Sequence, residues 1–334
     1  MKVRFDRLII SMKDDELEQF CRRWVERKAG YFEVKRFGSS GDLGRDVVGF
    51  VTSSRHEGKW DNYQCKQYRA RIDKGRGLLA IGKVLYWASR DKFNVPRYFN
   101  FVAPRGINAT LLTLINKPSA LKAALISDWD QYCSTKIIDN KNIALDQPLL
   151  DAINSFDFTK VCTIDVDEML IDKAAVPLLV EMYGADPGEY PKAAVPTAVQ
   201  PEELAYLTAL VEAYSDREKT PFVSHDEVLG HAVHGQDLRM HRERYFEADG
   251  FQKFYRDNTS PEVIATFRKD IRFGIHDVLK KPVTDELARV EAVMAQAGMV
   301  TPAGPLARYA YVPVKQGICH HLVNDGDLTW KGPK

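Results

Sequence analysis

Asp46, Gln64 and Lys66 are the residues whose types and spacing could do chemistry in this chain. They lie in GSSGDLGRDVVGFV and WDNYQCKQYRA, two stretches separated by a polar turn. Gln64 and Lys66 stand two apart in an extended run, so both side chains point to one face while Cys65 points to the other. Asp46 opens the preceding run, where a side chain can project from the end of a sheet. A carboxylate, a neutral oxygen donor and an ammonium in one small volume suit a hard divalent cation beside a scissile phosphate. Mg2+ keeps several waters and needs one or two carboxylates, and Mn2+ can substitute for it. On that chemistry Asp46 is the first ligand, with the Gln64 amide oxygen and the Cys65 backbone carbonyl as second and third. Lys66 would stand beside the attacking water, lowering its pKa or neutralising charge in the transition state. Glu18 reaches the same cleft if its helix packs over the sheet. Gly38, Gly41 and Gly44 let the approach loop bend tightly against a ligand.

The elements that must position these groups follow from hydrophobic spacing. Phe5–Ser11 reads as a short strand. Leu17, Phe20, Cys21, Trp24 and Val25 have helical spacing, which predicts a helix over Asp14–Lys28. Tyr31–Phe37 reads as a strand, followed by the glycine-rich loop and the two strands that carry the trio. Leu78–Ser89 is an apolar helix, Tyr98–Ala103 a buried strand, and helices over Ala109–Asn116 and Ser119–Cys133 follow. An α/β domain, a sheet flanked by helices, thus fills residues 1–155. Residues 156–216 read as a connecting segment, because four prolines fall between Asp186 and Glu203. Residues 217–334 read as a mostly α-helical domain. Its segments are His231–Phe246, Gly250–Asn258, Pro261–Lys280, Asp285–Gln296 and a final ICHHLV stretch, after a helix over Glu202–Asp216.

The trio resembles the PD-(D/E)xK nuclease superfamily, and most closely its Mrr-type restriction endonuclease branch. The resemblance covers roughly residues 5–105: Glu18 within LEQF, GDLGRD ending at Asp46, and QCK at Gln64–Lys66. It implies a restriction-endonuclease-like α/β fold, dependence on a divalent metal, and duplex DNA as substrate. Gln64 departs from the wider superfamily, where a carboxylate usually stands, and leaves the site one negative charge short. The stretches ERYFEADGFQKFYRDNTSPEV and KQGICHHLVNDG resemble the C-terminal domain of effectors in bacterial ABC three-component defence systems. That resemblance implies a prokaryotic antiviral role and partner proteins, among them an ATPase. The chain itself has no GxxxxGK[ST] phosphate loop.

Charge distribution agrees with a nucleic-acid partner. Residues 1–106 carry 23 Lys and Arg against 13 Asp and Glu, and the rest 24 against 33, beneath an overall charge of +1. Arg45, Tyr68, Arg69 and Arg71 flank the trio and could line the DNA path. Each also has a plainer reading. Arg45 could pair with Asp42, Tyr68 to Arg71 could be an exposed strand end, Asp46 could cap a turn, and Glu18 and Lys66 could be solvated charges. The five cysteines are scattered with no CxxC pair, which argues against a disulfide framework and a cysteine-rich zinc site. His231 and His234 have helix-face spacing for two zinc ligands, but packing roles suit these histidines better. No apolar run approaches a membrane span, and MKVRFDRLII lacks a signal-peptide cleavage site, so a cytoplasmic protein is expected. The expectation is a Mg2+-dependent DNA endonuclease, with homo-oligomerisation open. The rival is a catalytically silent DNA-binding or scaffold subunit of a defence complex.

Overall fold

A computed structural model of the chain describes residues 5–38 and 41–332. Ser39 and Ser40 of the approach loop lie outside the described residues. The chain divides into two compact units, Met1–Leu179 and Val180–Lys334.

The first unit is built on one five-stranded sheet in the order β1-β2-β3-β4-β5. Its strands are β1 Glu33–Arg36, β2 Val47–Phe50, β3 Trp60–Cys65, β4 Tyr98–Val102 and β5 Val161–Ile164. The first three pair antiparallel, while β3, β4 and β5 are parallel. Helix α1 is Phe5–Ser11, α2 Asp14–Glu26, α3 Lys74–Ala88, α4 Ala109–Ile115, α5 Pro118–Ser127, α6 Trp129–Tyr132, α7 Gln147–Ser155, α8 Val166–Ile171 and α9 Ala175–Tyr183. Parallel neighbours need a crossover, and α3 supplies it between β3 and β4. Leu78, Ile81 and Leu85 of α3 bury against Trp60, Phe99 and Phe101 in one continuous core.

Some expectations change here. Phe5–Ser11 is a helix, because Phe5, Leu8 and Ile9 are spaced i, i+3, i+4 and Asp6 sits in the first turn. The expected single helix over Ser119–Cys133 is two, broken at Asp128, where Trp129 turns its indole N–H to the Ile143 carbonyl at 2.7 Å. The first domain does not stop at residue 155. VCTI at Val161–Ile164 adds a fifth strand, parallel to β4 and too short to show a period. The proline-rich 186–203 stretch is irregular up to Gln200, as a connecting segment should be, but it is fastened to its own unit. Within the second unit Tyr190 donates to Glu247 at 2.7 Å, and Arg242 donates to the Pro196 and Ala198 carbonyls.

The second unit is helical: α10 Leu204–Glu218, α11 His225–Gly230, α12 His234–Asn258, α13 Pro261–Leu279, α14 Glu286–Met299 and α15 Val312–Asn324. Its core gathers Tyr206, Leu210, Phe251, Ile271, Val290 and Ile318. The expected break before Gly250 is absent. Gly250 continues α12, its missing side chain making room for Ala193. Gly317 lets α15 approach α12 closely, since a Cβ there would collide with the Arg244 carbonyl. Glu203 is fully buried and neutralised by Arg242, with bonds of 2.7 and 3.0 Å. Burial opposes the charge on Glu203, but Arg242 and the Gln200 amide hold its pKa below the ordinary value. The histidines pack: His231 stacks on His234, and His241 meets His320 at 3.0 Å in the core. Among the described residues no helix is long and apolar enough to cross a membrane.

Candidate functional site

Strand pairing brings the trio together. Val47 pairs with Tyr63 and Val48 with Asn62, so the antiparallel register carries Asp46 opposite Gln64. Cross-strand neighbours have Cβ atoms about 5 Å apart, and a residue two further on is the diagonal neighbour. Gln64 and Lys66 therefore both reach Asp46. The Gln64 Nε2 donates to Asp46 Oδ2 at 2.5 Å, and Lys66 Nζ donates to the same oxygen at 3.1 Å. Cys65 alternates to the opposite face. Its thiol is buried beside Cys21 of α2, and burial pushes its pKa up.

Asp46 is only 3% exposed. Burial pushes its pKa up to about 6, against the pull of Lys66; the carboxylates of Glu18 and Asp42 add to the rise. Burial by itself lowers the pKa of Lys66, yet the Asp46 carboxylate outweighs it and holds the ammonium's pKa above its ordinary value. Asp61, also buried on β3, shows the contrasting case. Arg97 grips it through both oxygens at 2.8 and 2.6 Å, and Tyr31 adds a third bond, so its charge is spent on structure.

Glu18 comes from the α2 face that packs over the sheet. It accepts from Arg36 Nε at 2.7 Å and lies against Gly38, where any Cβ would collide with the carboxylate. Its field reaches Asp46, as the raised proton affinity there records. The approach loop is pinned by Asp42, whose Oδ1 accepts from the Gly44 amide at 2.7 Å and from Lys83 of α3 at 3.0 Å. Gly44 has φ +88, a conformation that favours glycine, and a Cβ there would press on Val84.

The expected DNA contacts divide. Arg45 turns inward: it is 7% exposed, donates to the Asp42 carbonyl at 2.8 Å, and meets His56 at 2.7 Å. Its guanidinium lies over the rings of Phe37 and Phe93, which removes it from the surface. His56, which the sequence did not flag, is kept neutral there by burial and by Arg45, its pKa falling to about 4. Tyr68 lines a cleft with Gln64 and Lys66, and Arg69 and Arg71, which follow it in the chain, are exposed. The cleft, of about 190 Å³, is bordered by Lys66, Arg76 and Lys83, with Gln64 and Asp42 in its wall. Arg76 and Lys83 were missed by sequence reasoning. Their seven-residue spacing on α3 puts them on one helix face, a signal that a helical projection would have shown.

Several features bear on whether a divalent cation fits. The Gln64 Oε1 is buried with no hydrogen-bond partner. Orphaned buried acceptors are costly, and a hard cation would satisfy this one. Among the described residues no three His, Cys, Asp or Glu side chains gather into a cage.

Residues 203–330 match the family model described as C-terminal domain 6 of the ABC-three component (ABC-3C) systems. The matched segment begins at the buried Glu203 and ends at the buried Trp330, within the second unit. This similarity places the C-terminal part in the context of ABC-three component defence systems. No curated protein and no solved structure matches the chain.

Proposed function

We propose that the chain is a metal-dependent endonuclease acting on duplex DNA, and the effector of an ABC-three component defence system whose ATPase is a separate protein. The observation that carries this reading is the convergence of Gln64 and Lys66 on one buried Asp46 oxygen, beside an orphaned amide oxygen, with Gln64 and Lys66 themselves lining a cleft shared with Arg76 and Lys83. Asp46 and Gln64 Oε1 would hold Mg2+ or Mn2+, with Glu18 and the Cys65 carbonyl as further donors. When bound, the ion supplies phosphate polarisation and a more acidic water. Lys66 carries its proton at neutral pH, which suits it to neutralise charge on the phosphate oxygens rather than to act as a base. Tyr68, Arg69 and Arg71 would hold the DNA backbone.

A silent DNA-binding subunit is the second reading, favoured by the neutral Gln64 and by the engagement of Glu18 with Arg36. Plasmid nicking with Mg2+, Mn2+ or chelator, with and without the partner proteins, separates the two. Asp46→Ala and Lys66→Ala should each abolish metal-dependent nicking while leaving DNA binding largely intact. Persistent cutting by purified Lys66→Ala protein would refute the assignment.

A further inference from the structure

A second concavity opens at the carboxyl ends of β4 and β5, on the same edge of the sheet as the reaction cleft. It has a volume of about 360 Å³, and its lining includes Arg71, Arg105, Gly106, Ile164, Asp165 and Asp167. Backbone geometry brings its two arginines together. Ile72 and Ile107 form an isolated parallel bridge, with the Ile72 amide donating to the Gly106 carbonyl at 3.2 Å. Arg71 and Arg105 therefore stand on adjacent chain segments, one residue out of register. Gly106, at φ +74, leaves open space where a side chain would stand. Both arginines are exposed, and neither forms an ion pair or side-chain hydrogen bond among the described residues. By contrast, Lys83 is paired with Asp42, Lys74 with Asp128 and Arg76 with Asp73. Of the two acids in the lining, Asp165 turns its Oδ1 to the amides of Asp167 and Glu168, both at 3.0 Å, and Asp167 is exposed. Neither guanidinium is paired with those acids, so both are available to an anion with several oxygens.

We propose that this cleft is a phosphate subsite for the DNA strand that enters the reaction cleft, with Arg71 and Arg105 as its clamp. The proposal rests on the reading of the Asp46 cleft as a DNA-cleaving site. Register supports the continuity, since Cys65 pairs with Val102 and Val102 with Ile164. Strands lie about 4.8 Å apart, so the end of β5 is displaced about 10 Å from that of β3. One DNA strand carries a charge every ~3.4 Å along the axis, so this offset lies within the reach of a few nucleotides. The segment Tyr68–Arg71 runs from the reaction cleft to this second one.

The test is the salt dependence of duplex binding by the full chain, read by fluorescence anisotropy with Ca2+ in place of Mg2+, with and without the partner proteins. Arg71→Ala and Arg105→Ala should each lower the slope of log K against log salt by about 1, and the double variant by about 2. Arg256→Ala, on an exposed helix end of the second unit, should leave it unchanged. An unchanged slope in the double variant overturns the subsite, as does the absence of salt-dependent binding by the intact chain and its complex. A 5′-mononucleotide that binds through Arg71 and Arg105 while the duplex slope stays unchanged assigns the cleft to a free nucleotide and also overturns it. Plasmid nicking by Asp46→Ala reports on the catalytic reading separately. Its loss together with an unchanged slope removes only the subsite.

Discussion

Proton affinity at Asp46 gives the sharpest quantitative consequence of the site. A cation and a proton compete for the same carboxylate, so metal affinity must follow its ionisation. With a pKa of about 6, most Asp46 side chains are ionised at pH 7 but only about one in eleven at pH 5. Mn2+ or Mg2+ affinity of the DNA-free chain should therefore weaken about tenfold between pH 7 and pH 5. A carboxylate at its ordinary value of 3.8 would change by less than about a tenth over that range. Mn2+ binding to the full chain, followed by electron paramagnetic resonance or calorimetry, measures this directly and needs no catalysis. Asp46→Asn should remove the binding. Affinity that stays flat down to pH 5, or that survives in Asp46→Asn, would refute the assignment of Asp46 as the ligand. The same raised pKa has a consequence for the metal-free fold. Its stabilising contribution is fully present below pH 3.8 and is lost as pH rises through about 6. Relative to Asp46→Asn, the parent should thus lose about 3 kcal/mol of stability across that window, then stay level above it. Urea denaturation at matched pH values would show this loss, which saturating Mg2+ should reverse.

Three further perturbations follow. Gln64→Glu should retain nicking and lower the Mg2+ concentration needed, because an anionic oxygen binds the ion more tightly; a higher requirement in a Mg2+ titration would mean that Gln64 is not a ligand. Arg45→Ala should cost about 2 kcal/mol in denaturation through loss of the stack between Phe37 and Phe93, yet leave the salt slope of DNA binding intact. A changed slope would return Arg45 to the DNA path. Arg242→Met should destabilise the second unit by about 3–5 kcal/mol, since Glu203 is left charged in the core. Pairing it with Glu203→Gln should recover much of that loss, and a single variant losing under about 1 kcal/mol would show that Glu203 reaches water.

The sequence alone determined the arrangement of the trio on its strands. A spacing of two in an extended run fixes a shared face whatever surrounds it, which is why Gln64 and Lys66 fall together and Cys65 falls opposite. Helical spacing likewise revealed α2, α3 and most of the second unit, because each buries one long apolar face. Short segments were not legible. Val161–Ile164 holds too few residues to show a period, and the i, i+3, i+4 spacing within Phe5–Ser11 spans only about two turns, so neighbouring chain decided that one joins the sheet and the other coils. The inward turn of Arg45 depends on Phe37, His56 and Phe93, which come from three separate segments of the chain. The proton affinity of Asp46 was equally out of reach. It is the balance of burial against one ammonium and two nearby carboxylates, set by distances that only the assembled sheet, α2 and α3 establish.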